Sequence, residues 1–530
     1  MHKQELLERK KDEAFSSANL PDSQLISGYR QWLTHDCERH KSDGYLRQIE
    51  AYIHNSSRPV IEHKQEIKVF APFQRSISAF RTVTFGQLLV IGVLAVATLT
   101  GLFFQHQLFL MLLTEASCLI YICHFFTIAF FSTRACLSSP EEKIDDAIID
   151  ALFDAEWPAY TVLCPLYHEA EVVPQFVQAM QQLDYPRTRL QILILVEEDD
   201  HETRTCLQGI DLPTHFQVVI VPAGHPRTKP RACNFGLLHA SGDYIVIYDA
   251  EDIPDPLQLK KAVLAFANSD PAVACVQAKL NFYNAEQNLL TRWFTAEYSQ
   301  LFDLTLPGLQ SSKWSIPLGG TSNHFRKDIV CQLGAWDAFN VTEDCELGMR
   351  LSQCHLKTIV LDSTTYEEAN SQVKNWLRQR SRWMKGYMQT YLVYMREPMK
   401  SLFRGNLHDF LSLNFIIGGK VIAYISNTFL LLILIFTLLD HFLLKSSSTY
   451  FIPTFYINLA GLLLGNIFSI YSHLISCLRC RRYQLIIAVF LLPLYGMLIS
   501  IATLISLYQL IFKPHYWEKT RHGLHMLKNP

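Results

Sequence analysis

The sequence predicts a chain in two parts: a soluble α/β domain with a mainly parallel sheet, flanked on both sides by transmembrane α-helices. Three observations carry this. Between residues 160 and 365, short β-branched apolar runs alternate with longer helix-compatible segments, and strands that are apolar along their whole length belong to parallel sheets covered on both faces. Apolar runs of about twenty residues, the length a bilayer requires, lie on either side of that block. Acidic clusters follow two of the apolar strands, at the carboxyl ends where open α/β sheets bind ligands.

At 530 residues the chain exceeds what one core usually organises, so a soluble domain and a membrane portion share it. Lys and Arg number 47 against 49 Asp and Glu, which gives no electrostatic case for a nucleic-acid partner. The 13 cysteines lack regular spacing, and Cys118, Cys123, Cys164, Cys233 and Cys275 sit in apolar or strand-like stretches, as buried free thiols of a reducing compartment do. Cys477 and Cys480 form one CxxC among arginines beside an apolar run, which reads as free juxtamembrane thiols rather than a metal site.

Residues 1–80 are charged, open on a helix-prone Glu/Lys/Arg stretch and lack the basic-then-apolar pattern of a cleaved signal; no role is readable in them. Residues 81–134 hold two spans, 83–104 and 108–131, separated by Gln105, His106 and Gln107 alone, hence a tight helical hairpin. Residues 155–400 form the α/β domain, with strands expected at 161–165, 191–196, 216–221, 244–248 and 273–278 and an interfacial helix near 373–398. Residues 408–512 hold an interfacial segment and about three further spans, at 421–439, 451–473 and 485–512, the last interrupted by Pro493. A basic tail, 513–530, follows.

Arg75, Arg81, Arg134, Arg479, Arg481 and Arg482 flank these spans on what the positive-inside bias makes the cytoplasmic side. The α/β domain is therefore expected in the cytoplasm, on a multi-pass protein of the inner or plasma membrane. Five spans would send the tail outward, whereas Lys513, Lys519, Arg521 and Lys528 favour the inside; a re-entrant piece created by Pro493 reconciles the two. Glu115, an acid within the second span, either lines a polar path or is hydrogen-bonded between helices.

The polar motifs fall in a fixed order. Cys164 to Glu169 closes the first strand, and Glu197-Glu198-Asp199-Asp200 closes the second. Lys229, in Thr228 to Asn234, offers a point charge suited to phosphate oxygens, and Arg231 a fork of donors. Asp249-Ala250-Glu251-Asp252 follows an apolar strand directly; carboxylates there can hold a divalent cation, which neutralises a diphosphate leaving group without proton transfer. Small residues in Gly319-Gly320-Thr321 would let a ligand approach the backbone. Thr342-Glu343-Asp344 opens a helical stretch, where an aspartate is ordinarily a cap but can serve as a general base. Gln379, Arg382 and Trp383, at i, i+3 and i+4, share one helix face. The same helix, with Trp376, Tyr387, Tyr391, Arg378 and Arg380, equally suits a membrane surface, and the two uses are compatible.

This order of motifs between apolar spans resembles the membrane-bound, processive family 2 glycosyltransferases, such as the catalytic subunits of cellulose, chitin and hyaluronan synthases, over roughly residues 155–525. EEDD, DAED and the WEKT of the tail are similar to those of a bacterial exopolysaccharide glycosyltransferase subgroup. The resemblance implies a GT-A-like nucleotide-sugar-binding domain. It assigns Pro165, Tyr167, Glu169, Glu198, Lys229, Asp249, Gln379 and Arg382 to a UDP- or GDP-sugar donor. Asp249 and Glu251, with Asp252 as a rival, would hold Mg²⁺ or Mn²⁺; Asp344 would be the catalytic base; Trp383, Thr321 and Glu343 would meet the acceptor. Relatives carry an aspartate pair where this chain has Glu197 and Glu198, so which acid meets the nucleotide stays open. The implied activity is inverting, processive transfer of hexose onto a growing polysaccharide, with the lipid bilayer and other exopolysaccharide secretion proteins as partners. Transfer to a lipid carrier, or a non-catalytic membrane receptor or assembly subunit of the same fold, are the rival readings.

Overall fold

A computed structural model describes residues 78–150, 157–398, 407–440 and 451–517. The segment 1–77 and the tail beyond 517 lie outside the described residues.

Eight strands form one sheet: β1 (Tyr160–Leu166), β2 (Leu190–Glu197), β3 (Phe216–Val221), β4 (Tyr244–Ile247), β5 (Ile253–Pro254), β6 (Val273–Phe282), β7 (Asn323–Arg326) and β8 (Lys357–Glu367). Their order is β3-β2-β1-β4-β7-β6-β8-β5. The half built from continuous apolar runs, β3-β2-β1-β4, is parallel throughout. The sheet as a whole is mixed, because β7 enters antiparallel to both β4 and β6. The four residues of β7 are Asn323, His324, Phe325 and Arg326, with no apolar run to announce a strand. Its direction matters: the start of β7, and the loop Gly319–Ser322 before it, lie at the sheet edge where β1 and β4 end. Apolar clusters cover both faces, one around Tyr160, Phe176 and Ile192 and one around Leu193, Phe325 and Trp336.

The helices that position the site are α1 (Phe85–Ser138), α2 (Lys229–Leu237), α3 (Leu289–Gln300), α4 (Glu343–Gln353), α5 (Val373–Tyr394), α6 (Gly419–Leu439), α7 (Phe451–Arg479) and α8 (Leu492–Phe512). Among the described residues, four helical segments are long and apolar enough to cross a membrane: Phe85–Ser138, Leu407–Leu439, Pro453–Arg479 and Leu492–Phe512.

A straight α1 of 54 residues would reach about 80 Å. It does not run straight. Gln105 leaves helical geometry (φ −142°, ψ 51°), and Gly101 lies so close to the Phe109 ring that a Cβ there would sit 2.3 Å from it. Both ends of α1 accordingly reach the α/β domain: Gln87 Nε2 donates to Leu392 O at 2.7 Å, and Glu142 N, just past the other end, to Val360 O at 2.8 Å. The second arm packs on α7 and on the α/β domain, where Gly308 touches the backbone of Phe131 with no room for a side chain. The first arm leaves apolar side chains such as Leu94, Leu99 and Phe103 exposed, a surface suited to lipid.

The last apolar stretch is divided at Leu491, two residues before Pro493, which sits in the first turn of α8 where its missing N–H costs nothing. Tyr495, at one end of α8, packs on Trp376 of α5 (centroids 5.2 Å apart). At the other end Lys385 and Gln389 of the same α5 donate to Tyr516 O (2.5 Å) and Pro514 O (3.0 Å). A single apolar cluster runs through α1, α3, α5, α7 and α8, including Phe125, Phe294, Trp376 and Tyr495, so the sheet domain and the apolar helices share a core.

Candidate active site

One continuous cavity starts at the carboxyl ends of β1 and β2, beside Pro165, Tyr167, Glu169 and Glu197. It continues past Lys229, Asp249 and Glu251 to Glu343 and Asp344, and ends among α1, α6 and α7. Thr321, Gln379, Arg382 and Trp383 line it as well. Of the residues that the resemblance assigns to donor, acceptor, metal or base, the fold brings all to this cavity except Glu198 and the rival metal ligand Asp252, and Arg231 also lies outside its lining. Glu198 lies one position past β2 and is exposed, its carboxylate accepting from Ala223 N at 2.9 Å. The acid that turns in is Glu197, held by Arg231, whose Nη1 lies 3.0 Å from both carboxylate oxygens. Arg231 also donates to Pro222 O and is buried, so its guanidinium serves the framework and not a phosphate. Asp199 pairs with Arg227 at 2.5 Å, and Asp200 caps the next helix through Thr203 N.

The DAED turn separates its acids by direction. Asp249 and Glu251 face the cavity, whereas Asp252 is buried, accepting from Asp249 N at 2.7 Å and from Thr321 Oγ1. Burial, then the nearby Asp249 and Glu251, holds the Asp252 carboxyl well above the ordinary range. Glu367, at the end of β8, lines the same stretch; burial and then Asp252, Glu251 and Asp249 raise it likewise. No motif points to Glu367, which closes a strand, Lys357 to Glu367, whose apolar residues Ile359, Val360 and Leu361 lie in its first half while the second half is polar and Thr-rich. Crowded acids of this kind fit a divalent cation. Among the described residues no three ligating side chains form a cage, so Asp249 and Glu251 would share such an ion with phosphate and water, the way Mg²⁺ is usually bound.

Lys229, the first residue of α2, reaches Asp249 Oδ1 and Gly320 O, each at 2.5 Å. Burial alone would lower its pKa, but Asp249 and Glu343 prevail and raise it, so the ammonium stays charged. Glu343 and Asp344 lie in the first turn of α4, where the helix dipole favours carboxylates. Burial and then Asp344 push Glu343 up to about 7, and burial raises Asp344 also. Asp344 Oδ1 accepts from Cys345 N at 2.7 Å, and Oδ2 lies 3.4 Å from where a Cβ of Gly320 would stand.

The helix α5 presents Gln379, Arg382 and Trp383 to the cavity. Gln379 Oε1 and Arg382 Nε are buried without a hydrogen-bond partner, capacity that a ligand can use. Trp517, just past α8, lies 5.2 Å from the Arg382 guanidinium. Trp376 and Arg380, which the sequence also allows on a membrane surface, are buried instead. Arg380 clasps Glu297 of α3 through two hydrogen bonds, 2.8 and 2.7 Å, and stands 4.6 Å over the Trp383 ring. Nothing in the sequence links Glu297 to Arg380. Glu115 is half-buried on α1 and away from the cavity, and Cys477 and Cys480 are free thiols.

Gly386 of α5 lies against Thr342: an added Cβ would fall 2.3 Å from Oγ1 and 2.7 Å from Cβ of that residue. Gly386→Ala should therefore displace the turn that carries Asp344, costing about 1–3 kcal/mol as overpacking does. A lowered melting temperature is expected; an unchanged protein would show that the two helices part freely.

A mixed sheet with acids at the ends of β2 and β4, a lysine opening α2 beside them and a carboxylate opening α4 is a GT-A-like nucleotide-sugar-binding arrangement. Residues 158–386 match the family model described as "Glycosyltransferase like family 2". Over 250 residues the chain is 30% identical to the probable glycosyltransferase YdaM of Bacillus subtilis, covering 46% of this chain and 59% of that protein. It is 26% identical to glucomannan 4-beta-mannosyltransferase 7 of Arabidopsis thaliana, covering 44% and 43%. The chain thus spans about half the length of the curated relatives it matches. Among solved structures, a mannosyltransferase from Pyrobaculum calidifontis in complex with GDP-Man and Mn²⁺ aligns with TM-score 0.48 at 15% identity, over 75% of this chain and 99% of that one.

Proposed function

We propose that the protein is a membrane-embedded, inverting glycosyltransferase that moves hexose from a UDP- or GDP-sugar onto the end of a growing polysaccharide. The observation that supports this most is the continuity of the cavity from Lys229 and Asp249, past Asp344, into a stretch between helices walled by His124, Asn466, Ser469 and His473. Asn466, Ser469 and His473 recur on one side of α7, an unusual row of hydrogen-bonding groups in an apolar helix and one suited to sugar hydroxyls.

In this reading Pro165, Tyr167, Glu169 and Glu197 meet the nucleotide. Lys229, Arg382 and Gln379 hold the diphosphate. Asp249 and Glu251 hold Mg²⁺ or Mn²⁺, which supplies positive charge as the diphosphate departs. Asp344 takes the proton from the acceptor hydroxyl as that oxygen attacks the anomeric carbon from the face opposite the diphosphate, which inverts the centre. The catalytic domain lies on the cytoplasmic side of the bilayer, and the product is an exopolysaccharide.

The test is transfer from labelled UDP- and GDP-sugars by the purified full chain, with the product sized. Trp383 lines the cavity together with Asp344, so Trp383→Ala should lower polymer yield by roughly tenfold or more, the value of a lost aromatic platform, while donor affinity changes little. A proportional fall in both would make Trp383 a packing residue, and products of one added sugar would replace elongation by single transfer to a lipid carrier.

A further inference from the structure

The charges along the cavity are segregated. At the donor end acids outnumber cations: seven carboxylate side chains, Glu343 among them, line it with Arg227, Lys229 and Arg382. Beside Trp383 and Tyr387 the balance inverts. The charged lining there consists of Glu297 against Arg380 and Lys420. Glu297 is already satisfied: Arg380 donates to both its oxygens, and Tyr495 Oη donates to Oε2 at 2.7 Å. Lys420, the second residue of α6, stands 3.5 Å from Glu297 Oε1, longer than the 2.7–2.9 Å of a charge-assisted hydrogen bond, and 5.4 Å from the Tyr387 ring. Its side chain is 21% exposed, toward the cavity it lines. Two cations, Arg380 and Lys420, thus share the single carboxylate of Glu297 where membrane helices meet the catalytic domain.

Resting on the glycosyltransferase reading above, we infer that Lys420 forms a subsite for a carboxylate on the acceptor glycan, in a sugar deeper in the cavity than the one that reacts. An excess of one positive charge matches one carboxylate. The neighbouring walls suit a glycan better than a lipid phosphate with its chain. His124 Nδ1 lies 3.1 Å from Phe415 O and His473 Nδ1 2.7 Å from Ser469 O. A ring nitrogen facing a carbonyl carries the proton, which leaves Nε2 of each neutral ring as an acceptor for a hydroxyl. Asn466 and Ser469 add further polar groups.

The test uses the full chain in detergent with three probes: a neutral β-linked hexose trisaccharide, the same trisaccharide oxidised to carboxylates at C6, and a short-chain polyprenyl phosphate. The wild type should bind the oxidised trisaccharide about ten- to a hundredfold more tightly than the neutral one, the range of a hydrogen bond to a charged group. Lys420→Met should lose that preference and Lys420→Arg keep most of it. Equal affinity of the wild type for both trisaccharides overturns the inference, as does a preference that survives Lys420→Met. Tighter binding of the polyprenyl phosphate than of the oxidised trisaccharide overturns it in favour of a lipid-phosphate site. Should Lys420→Met fail to fold, Lys420→Gln carries the same comparison, and the wild-type measurements stand without any variant. Transfer from nucleotide sugars in the same preparation separates the two levels: transfer without charge preference sinks only this subsite, whereas no transfer from any donor sinks the reading beneath it.

Discussion

Asp344→Asn should leave donor binding nearly intact and lower transfer by about 10²- to 10⁴-fold, the usual contribution of a general base. The substitution keeps the shape of the side chain and an oxygen for Cys345 N, so the first turn of α4 should survive. What it removes is the ability to accept a proton beside Gly320. The pH dependence follows from the same burial. Asp344 is raised above the ordinary carboxylate range and Glu343, coupled to it, is pushed up to about 7. The protonated forms persist to higher pH than in a free carboxylate, so base catalysis is weak at low pH and grows as pH rises. The kcat/KM should therefore rise with pH along a limb displaced upward from that of a free carboxylate, and Asp344→Asn should flatten it. A flat profile for the wild type, or near-normal transfer by Asp344→Asn, would take Asp344 out of the mechanism.

Asp249→Ala should reduce metal-dependent donor binding and transfer by about 10²-fold or more, in keeping with the several kcal/mol that a catalytic cation supplies. Two effects add: the carboxylate disappears, and Lys229 loses the partner 2.5 Å away that holds it in place. Glu251→Ala should act through the metal alone. Asp252→Ala should instead lower thermal stability together with activity, because Asp252 fixes the turn through Asp249 N and Thr321. Titrating Mn²⁺ against each variant distinguishes them: a shifted metal dependence marks a ligand, and an unshifted one with a lower melting temperature marks a scaffold. Equal transfer by the wild type with and without a chelator would rule out the metal.

The parts of the fold legible in the sequence were those that repeat a local rule. Parallel strands buried on both faces are apolar along their length, so β1 to β4 and β6 show themselves, and acids directly after such strands must lie at the ligand-binding edge. β7 follows no such rule, being four largely polar residues, and β8 follows it only over Ile359, Val360 and Leu361 before turning Thr-rich; both are held by their neighbours in the sheet. Glu367 was hidden for the same reason. The choice between Glu197 and Glu198 depended on where β2 ends, because one residue more or less turns a side chain from the cavity to solvent. Glu297 and Arg380 meet only because α3 and α5 pack together, a contact between residues 83 positions apart that no local pattern encodes.

The return of α8 to α5 also bears on how the chain is threaded through a bilayer. Both of its ends touch one helix of the catalytic domain, so a path along that helix is open to it as well as a crossing. With the two arms of α1, α6 and α7 as the only crossings, the number of passages would be even and the basic residues after Phe512 would stay on the side of the sheet domain. A cysteine introduced at Tyr516 should be labelled by an impermeant maleimide under the same conditions as one introduced at exposed positions of the sheet domain, in inverted vesicles and not in intact cells.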